Sequence, residues 1–152
     1  MTDKTLSAEQ SRVLAKGPFP DYPFKPKNFI QPGGLVQSYL DEGHGDVIVM
    51  LHGNPSWSYY WRHLVLGLKE NYRCIVPDHI GMGLSDKPSD ENYRYTLQSR
   101  VDDLDHLLDS LNLGDNITLA VHDWGGMIGF AWALKHSKRI KRLVILNTAA
   151  FP

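Results

Sequence analysis

Ile117-Thr-Leu-Ala-Val-His-Asp-Trp-Gly-Gly-Met-Ile-Gly-Phe130 reads as a strand, a sharp turn and a helix, with Asp123 at the tip of the turn. Ile117 to Val121 is short, apolar and β-rich and stands behind the turn signal Gly114-Asp115-Asn116, the pattern of a buried strand in a parallel sheet. Met127, Ile128, Phe130, Ala131, Ala133 and Leu134 leave the following helix apolar on nearly every face, which predicts a buried helix. Gly125, Gly126 and Gly129 let its first turns approach the sheet, and the reversal lifts the Asp123 side chain above the carboxyl edge of the strands. This is the pattern of a nucleophile elbow, with Asp where serine usually stands and Val121 where the first glycine usually stands. The exchange alters the chemistry. Serine needs a base to become nucleophilic, whereas a carboxylate is already ionised at neutral pH and can attack carbon to give an ester. Taken alone, an Asp in this place also reads as a helix cap.

A second stretch, Val47-Ile-Val-Met-Leu-His-Gly-Asn-Pro55, repeats the theme of an apolar strand entering a tight turn, followed by the aromatic-rich Ser56 to Arg62. In elbow enzymes the loop after an earlier strand donates one oxyanion-hole N–H and the residue after the nucleophile donates the other. By position these donors are Asn54 and Trp124. Their side chains also carry N–H groups that could converge on an anionic leaving group. Asn54 before Pro55 is otherwise a turn former, and Trp124 otherwise a core aromatic. Their chain order around an Asp elbow favours the functional reading.

His52-Gly53-Asn54-Pro55, Asp78-His-Ile-Gly-Met-Gly-Leu-Ser-Asp-Lys-Pro88 and His122-Asp-Trp-Gly-Gly126 together resemble the α/β-hydrolase superfamily and, within it, the haloalkane dehalogenase-like branch, from about Asp21 to Pro152. In that branch the aspartate displaces halide and the Asn and Trp side chains hold it. Epoxide hydrolases share the elbow but usually carry an aromatic residue at the place of Asn54, and fluoroacetate dehalogenases usually place Arg after the nucleophile. Tyr72 to Pro88, Tyr95 to Leu104, Leu119 to Phe130 and Asn147 to Pro152 are similar over unbroken runs to the β-lactone decarboxylases of long-chain olefin biosynthesis. That resemblance implies a cis-3,4-dialkyl-oxetan-2-one opened by Asp123, with loss of carbon dioxide leaving a cis-olefin. Haloalkane dehalogenation is the alternative, followed by epoxide hydrolysis or a non-catalytic role. The implied partner is a small hydrophobic substrate, and assembly with other olefin-pathway enzymes is compatible with the resemblance.

Composition bounds these expectations. The 152 residues carry a net charge of −1, with 42% hydrophobic and 11% aromatic residues, a globular and neutral balance that argues against a nucleic-acid binder. No apolar run approaches the ~20 residues of a membrane helix, and Met1 to Lys16 lacks the apolar core of a secretory signal. The single cysteine, Cys74, has no intrachain partner and reads as a buried strand residue. A cytoplasmic location is expected.

The Pro-rich stretch Gly17 to Pro26 separates a tail, residues 1–20, from a domain over residues 21–152. Strands are expected at Asn28–Ile30, Leu35–Leu40, up to His52, Arg73–Pro77, Ile117–Val121 and Arg142–Leu146. Helices are expected at Tyr60–Leu68, at Leu97–Leu111 and after the elbow. Thr96 is the expected N-cap of the second, with Leu97, Val101, Leu104, Leu108 and Leu111 on its apolar face. The alternation predicts an α/β fold, a mostly parallel sheet with helices on both faces.

Asp102, Asp103, Asp105, His106 and Asp109 suggest a metal site by residue type, but their spacing puts them on the solvated face of a helix, with an Asp102–His106 pair, and no metal is expected. The basic run Lys135 to Arg142 falls at a helix C-terminus, where cations are favoured. Gly81-Met-Gly83 lacks a third glycine for a dinucleotide site, so no cofactor is expected. Asp78 is expected to tie down its turn, with His79 and Ile80 as candidate pocket-lining residues. In Asp-nucleophile hydrolases a histidine and its acid, placed after the last strands, activate water against the ester. No residue up to Pro152 occupies those places: His122 should diverge from the elbow, and Asn147 stands at one known position of the acid. The chain is therefore expected to be the N-terminal half of an enzyme, truncated before the lid and last strands, with an unfinished sheet edge and no turnover of its own.

Overall fold

The computed structural model describes residues 19–149. Its strands are β1 (Lys27–Ile30), β2 (Val36–Glu42), β3 (Asp46–Leu51), β4 (Tyr72–Pro77), β5 (Ile117–His122) and β6 (Ile140–Leu146). The helices are α1 (Arg62–Leu68), entered through a 3-10 turn at Ser58–Trp61, α2 (Leu97–Ser110) and α3 (Trp124–Lys135). The strands form one sheet in the order β1-β2-β4-β3-β5-β6. The β1–β2 and β2–β4 pairs are antiparallel, and the β4–β3, β3–β5 and β5–β6 pairs are parallel. Each expected element is present with ends moved by one or two residues, as fraying termini allow.

Strand alternation splits the core between two faces. Val47, Val49, Leu51, Leu119 and Val121 pack with α2 and α3 through Val101, Leu104, Leu108, Ile128 and Trp132. Ile48, Met50, Cys74, Val76 and Ala120 pack with Trp61 and Val65 on the other side. Parallel strands clad on both faces must be apolar at successive positions, which is why β3 and β5 read as continuous hydrophobic runs.

Thr96 caps α2, its hydroxyl oxygen accepting from the Ser99 N–H at 3.1 Å. The apolar face is rotated slightly from the expected one: Leu107 is fully buried and Leu97 is 36% exposed. The acidic side of α2 is also less solvated than its spacing suggests. Asp103 accepts from the Tyr93 hydroxyl at 2.6 Å, and His106 binds Gln31 Oε1 through Nδ1 at 3.1 Å instead of pairing with Asp102. The basic run supplies the remaining partners. Lys135 lies 3.7 Å from Asp102, and Arg139 lies 2.7 Å from Asp109. His136 Nε2 comes within 2.7 Å of Asp105 Oδ1. A sequence window sees only neighbours along one helix; here two helices lie side by side and their charged faces meet. Among the described residues no cluster of three His, Cys, Asp or Glu is placed to hold a metal.

Helix α3 departs from the expectation of burial on all sides. Gly125, Gly126, Ile128, Gly129 and Trp132 are buried, whereas Leu134 is 83% exposed. Phe130, Ala133, Leu134, Ile140 and Leu143 line an open apolar cavity of about 320 Å³. The cause is the position of β6, which has no neighbour on its outer side among the described residues. Its Leu143, Val144 and Ile145 are correspondingly exposed.

Candidate active site

The turn between β5 and α3 places Asp123 at φ 52° and ψ −129°, a conformation that side-chain-bearing residues rarely adopt. Several bonds hold it there. The Asp123 N–H donates to the Asn147 carbonyl at 3.3 Å, and the Asp123 carbonyl accepts from the Gly126 N–H at 2.9 Å. That carbonyl also accepts from the Thr148 hydroxyl at 2.6 Å. The segment after β6 thus braces the elbow, a role for Asn147 and Thr148 that residue type alone did not signal.

Asp123 does not act as a cap through its side chain. Its Oδ1 accepts the Asn54 N–H at 2.8 Å. The main-chain N–H groups of Trp124 and Asn54 hold its carboxyl below the usual carboxylate range, so it is ionised at neutral pH. The two positions expected to form an oxyanion hole are therefore brought together around the carboxylate itself. A Cβ added at Gly53 would fall on the Asp123 side chain, which explains the glycine between His52 and Asn54. An ester formed through Oδ2 would leave Oδ1 as its carbonyl oxygen, already facing the Asn54 N–H.

Asp123, Trp124, Met127, Asn147, Thr148 and Ala149 line a cavity of about 480 Å³. Trp124 is 44% exposed there. Asn54, also exposed, reaches Asp123 through its main chain. His122 turns away from Asp123, as adjacent elbow side chains should, and stacks on Tyr60 with centroids 4.5 Å apart.

His79 and Ile80 do not line this cavity; both are buried. His79 belongs instead to a pair beneath the loop that carries Asn54. Its main-chain N–H donates to His52 Nε2 at 3.1 Å, and its own Nε2 donates to the His52 carbonyl at 2.9 Å. Burial drives the His52 pKa down to about 4 and that of His79 well below its ordinary 6.5. Asp78 ties down its turn as expected, accepting from the Ser58 N–H at 2.7 Å and the Leu84 N–H at 2.8 Å. Its burial nevertheless raises its pKa to about 6.

These groups make stability depend on pH with a definite sign. Both histidines have folded values below 6.5, so unfolding takes up protons and stability is lost as pH falls below 6.5. Asp78 acts oppositely, because a carboxyl raised from 3.8 to about 6 favours the folded state increasingly as pH falls. Asp103, whose pKa burial also raises from 3.8, acts with Asp78, but both histidines take up their protons on unfolding at 6.5, inside the window from pH 7 to pH 5. The melting temperature should therefore drop between pH 7 and pH 5 in thermal scans, and a flat or rising profile would contradict the neutral-pair assignment.

Comparison with known proteins agrees with this fold. A family model described as alpha/beta hydrolase fold matches residues 46–152. A cis-3-alkyl-4-alkyloxetan-2-one decarboxylase of Xanthomonas campestris pv. campestris is 66% identical over 141 residues, covering 88% of this chain and 47% of its own length. A haloalkane dehalogenase of Sphingobium indicum is 43% identical, covering 86% of this chain and 44% of its own. The structure of a tetrameric haloalkane dehalogenase from Paraglaciecola agarilytica superposes with a TM-score of 0.80 at 29% identity, covering 98% of this chain and 50% of that one. The chain thus spans about half the length of the curated relatives it matches. The strand order, the strained Asp elbow and the family match over residues 46–152 converge: the chain belongs to the α/β-hydrolase fold family.

Proposed function

We propose that the full-length protein is a β-lactone decarboxylase in which Asp123 is the nucleophile and Asn54 and Trp124 bind the leaving group. The observation that carries this reading is an ionised Asp123 at a strained elbow, its carboxylate met by the main-chain N–H groups of Trp124 and Asn54. The 66% identical relative named as a cis-3-alkyl-4-alkyloxetan-2-one decarboxylase supports the choice of substrate.

The chemistry closes without water. Oδ2 attacks C4 of the lactone ring, the C4–O bond breaks, and the ring oxygen leaves as a carboxylate still attached through C3. The C3–carboxylate bond then breaks as carbon dioxide departs, its electron pair forms the C3–C4 double bond, and Asp123 is expelled from C4. Inversion at C4 followed by anti loss carries a cis ring into a cis-alkene. The N–H groups that lower the basicity of Asp123 make it a better group to expel.

Haloalkane dehalogenation uses the same first step, and the 43% identical relative keeps it as a second reading. The two differ in how Asp123 is freed, because hydrolysis delivers a water oxygen to the ester carbonyl carbon. Multiple turnovers in ¹⁸O-labelled water should leave Asp123 unlabelled with a cis-β-lactone, with alkene as product. Bromide release from a bromoalkane with labelled Asp123 and no alkene from the lactone would instead establish the dehalogenase. Trp124→Phe, which removes the indole N–H, is expected to reduce kcat/KM roughly 10- to 100-fold, the worth of a hydrogen bond to a charged group; an unchanged value would remove Trp124 from the leaving-group site.

A cytoplasmic setting goes with this reading. Among the described residues no helix is long and apolar enough to cross a membrane. Cys74 is fully buried, and its thiol pKa is pushed up to about 11 by burial.

A further inference from the structure

We infer that His52 is a positioning residue that sets the direction of the oxyanion-hole N–H of Asn54. The inference rests on Asp123 being the nucleophile. His52 is completely buried, yet it lies one residue from the peptide that matters. The Gly53 carbonyl and the Asn54 N–H belong to a single planar trans peptide group, so they point in opposite directions. Whatever holds the Gly53 oxygen therefore aims the Asn54 hydrogen.

Two donors hold that oxygen, His52 Nδ1 at 2.9 Å and the Ser56 N–H at 3.1 Å. On the opposite side of the peptide the Asn54 N–H meets Asp123 Oδ1 at 2.8 Å. The role of Nδ1 as donor follows from its neighbours. The His79 main-chain N–H can only donate, so His52 Nε2 must accept and carries no hydrogen. In a neutral imidazole the proton then sits on Nδ1, facing the Gly53 carbonyl. The His79 ring fixes the preceding peptide in the same way, since its Nε2 faces the His52 carbonyl, an acceptor only.

The loop is thus locked from below by two neutral rings, each donating to a main-chain carbonyl. If the Gly53–Asn54 peptide turned over, its carbonyl oxygen would face the Asp123 carboxylate and the hole would lose one of its two donors. Loss of a donor leaves Asp123 more basic and harder to expel from its ester, so the covalent intermediate should outlast its normal lifetime.

Two substitutions in the full-length protein separate this role from a general one in stability. His52→Asn places an amide N–H where Nδ1 stands and keeps the bond to the Gly53 carbonyl. His52→Gln places its amide oxygen near the position of Nε2, keeping the tie to residue 79 while losing the Gly53 bond. With a cis-β-lactone, His52→Gln should turn over about 100-fold more slowly, the usual effect of losing one oxyanion-hole donor. Intact-mass spectrometry should show substrate added to the enzyme. His52→Asn should recover most of the turnover without accumulating the adduct. Equal losses in both variants, or a loss in the Gln variant with no adduct, would overturn the assignment. Should only the Gln variant fail to fold, the Asn variant decides alone, by turning over within about tenfold of the parent or not. Failure of both to fold would assign His52 to stability instead. Asp123→Asn run alongside isolates the underlying reading: activity without Asp123 refutes the nucleophile, whereas a dead Asp123→Asn beside a normal His52→Gln refutes only the inference about His52.

Discussion

Asp123→Asn in the full-length protein should lower turnover by at least about 10⁴-fold, as removal of a covalent nucleophile does in other enzymes, while leaving the fold intact. The substitution keeps the side chain's shape, and an amide oxygen can still accept the Asn54 N–H that Oδ1 accepts at 2.8 Å. It removes the charge and with it the free electron pair on Oδ2 that forms the ester. The strained backbone at φ 52° is no obstacle, because Asn tolerates positive φ better than most residues. The loss should therefore appear in alkene formation and in the absence of any covalent adduct, with an unchanged melting temperature. An active Asp123→Asn enzyme would show that the carboxylate is not the attacking group.

Gly125→Ala is expected to have the largest effect on stability, about 3 kcal/mol or more, at the upper end of overpacking. The close approach of α3 to β3 explains it. A Cβ at Gly125 would fall on the carbonyl oxygens of Leu51 and His52, which are main chain and cannot rotate aside. Relief requires moving the end of β3, and with it the loop that carries Gly53 and Asn54, so activity should fall with stability. Gly67→Ala supplies the contrast. It lies in α1 with nothing within 4 Å of an added Cβ, and alanine should be neutral or better there by up to about 1 kcal/mol. Urea unfolding would show a lower midpoint for the first with an unchanged slope; equal midpoints would mean that α3 can withdraw from the sheet.

Much of this was legible in residue order because the physics involved is local. Alternation and apolar runs set the strands, the Thr96 hydroxyl meets a donor three residues away, and the glycines after Asp123 announce a helix lying close to a sheet. The approach of Asn54 and Trp124 to Asp123 was legible for the same reason, each being adjacent to a recognisable turn. What was not legible depended on partners distant in sequence. The acidic face of α2 looked solvated until the basic end of α3 was laid against it. His79 looked like a pocket residue, and only packing showed it buried against a main chain 27 residues away. Helix α3 looked wholly buried because its composition is apolar all round, whereas burial depends on which neighbours stand beside it.

The sequence by itself determined the architecture and the placement of a charged residue within it: an α/β sheet with an aspartate at the strand–helix elbow, because strand periodicity, glycine placement and side-chain charge are properties of the chain. Only the tertiary structure decided how that aspartate is held. The direction of the Asn54 N–H, the choice of Oδ1 as the oxygen that meets it and the tautomers of His52 and His79 all follow from hydrogen bonds between β3, β4 and the elbow. Hydrogen bonds require angstrom-scale approach of groups tens of residues apart, and that information exists only once the sheet has assembled.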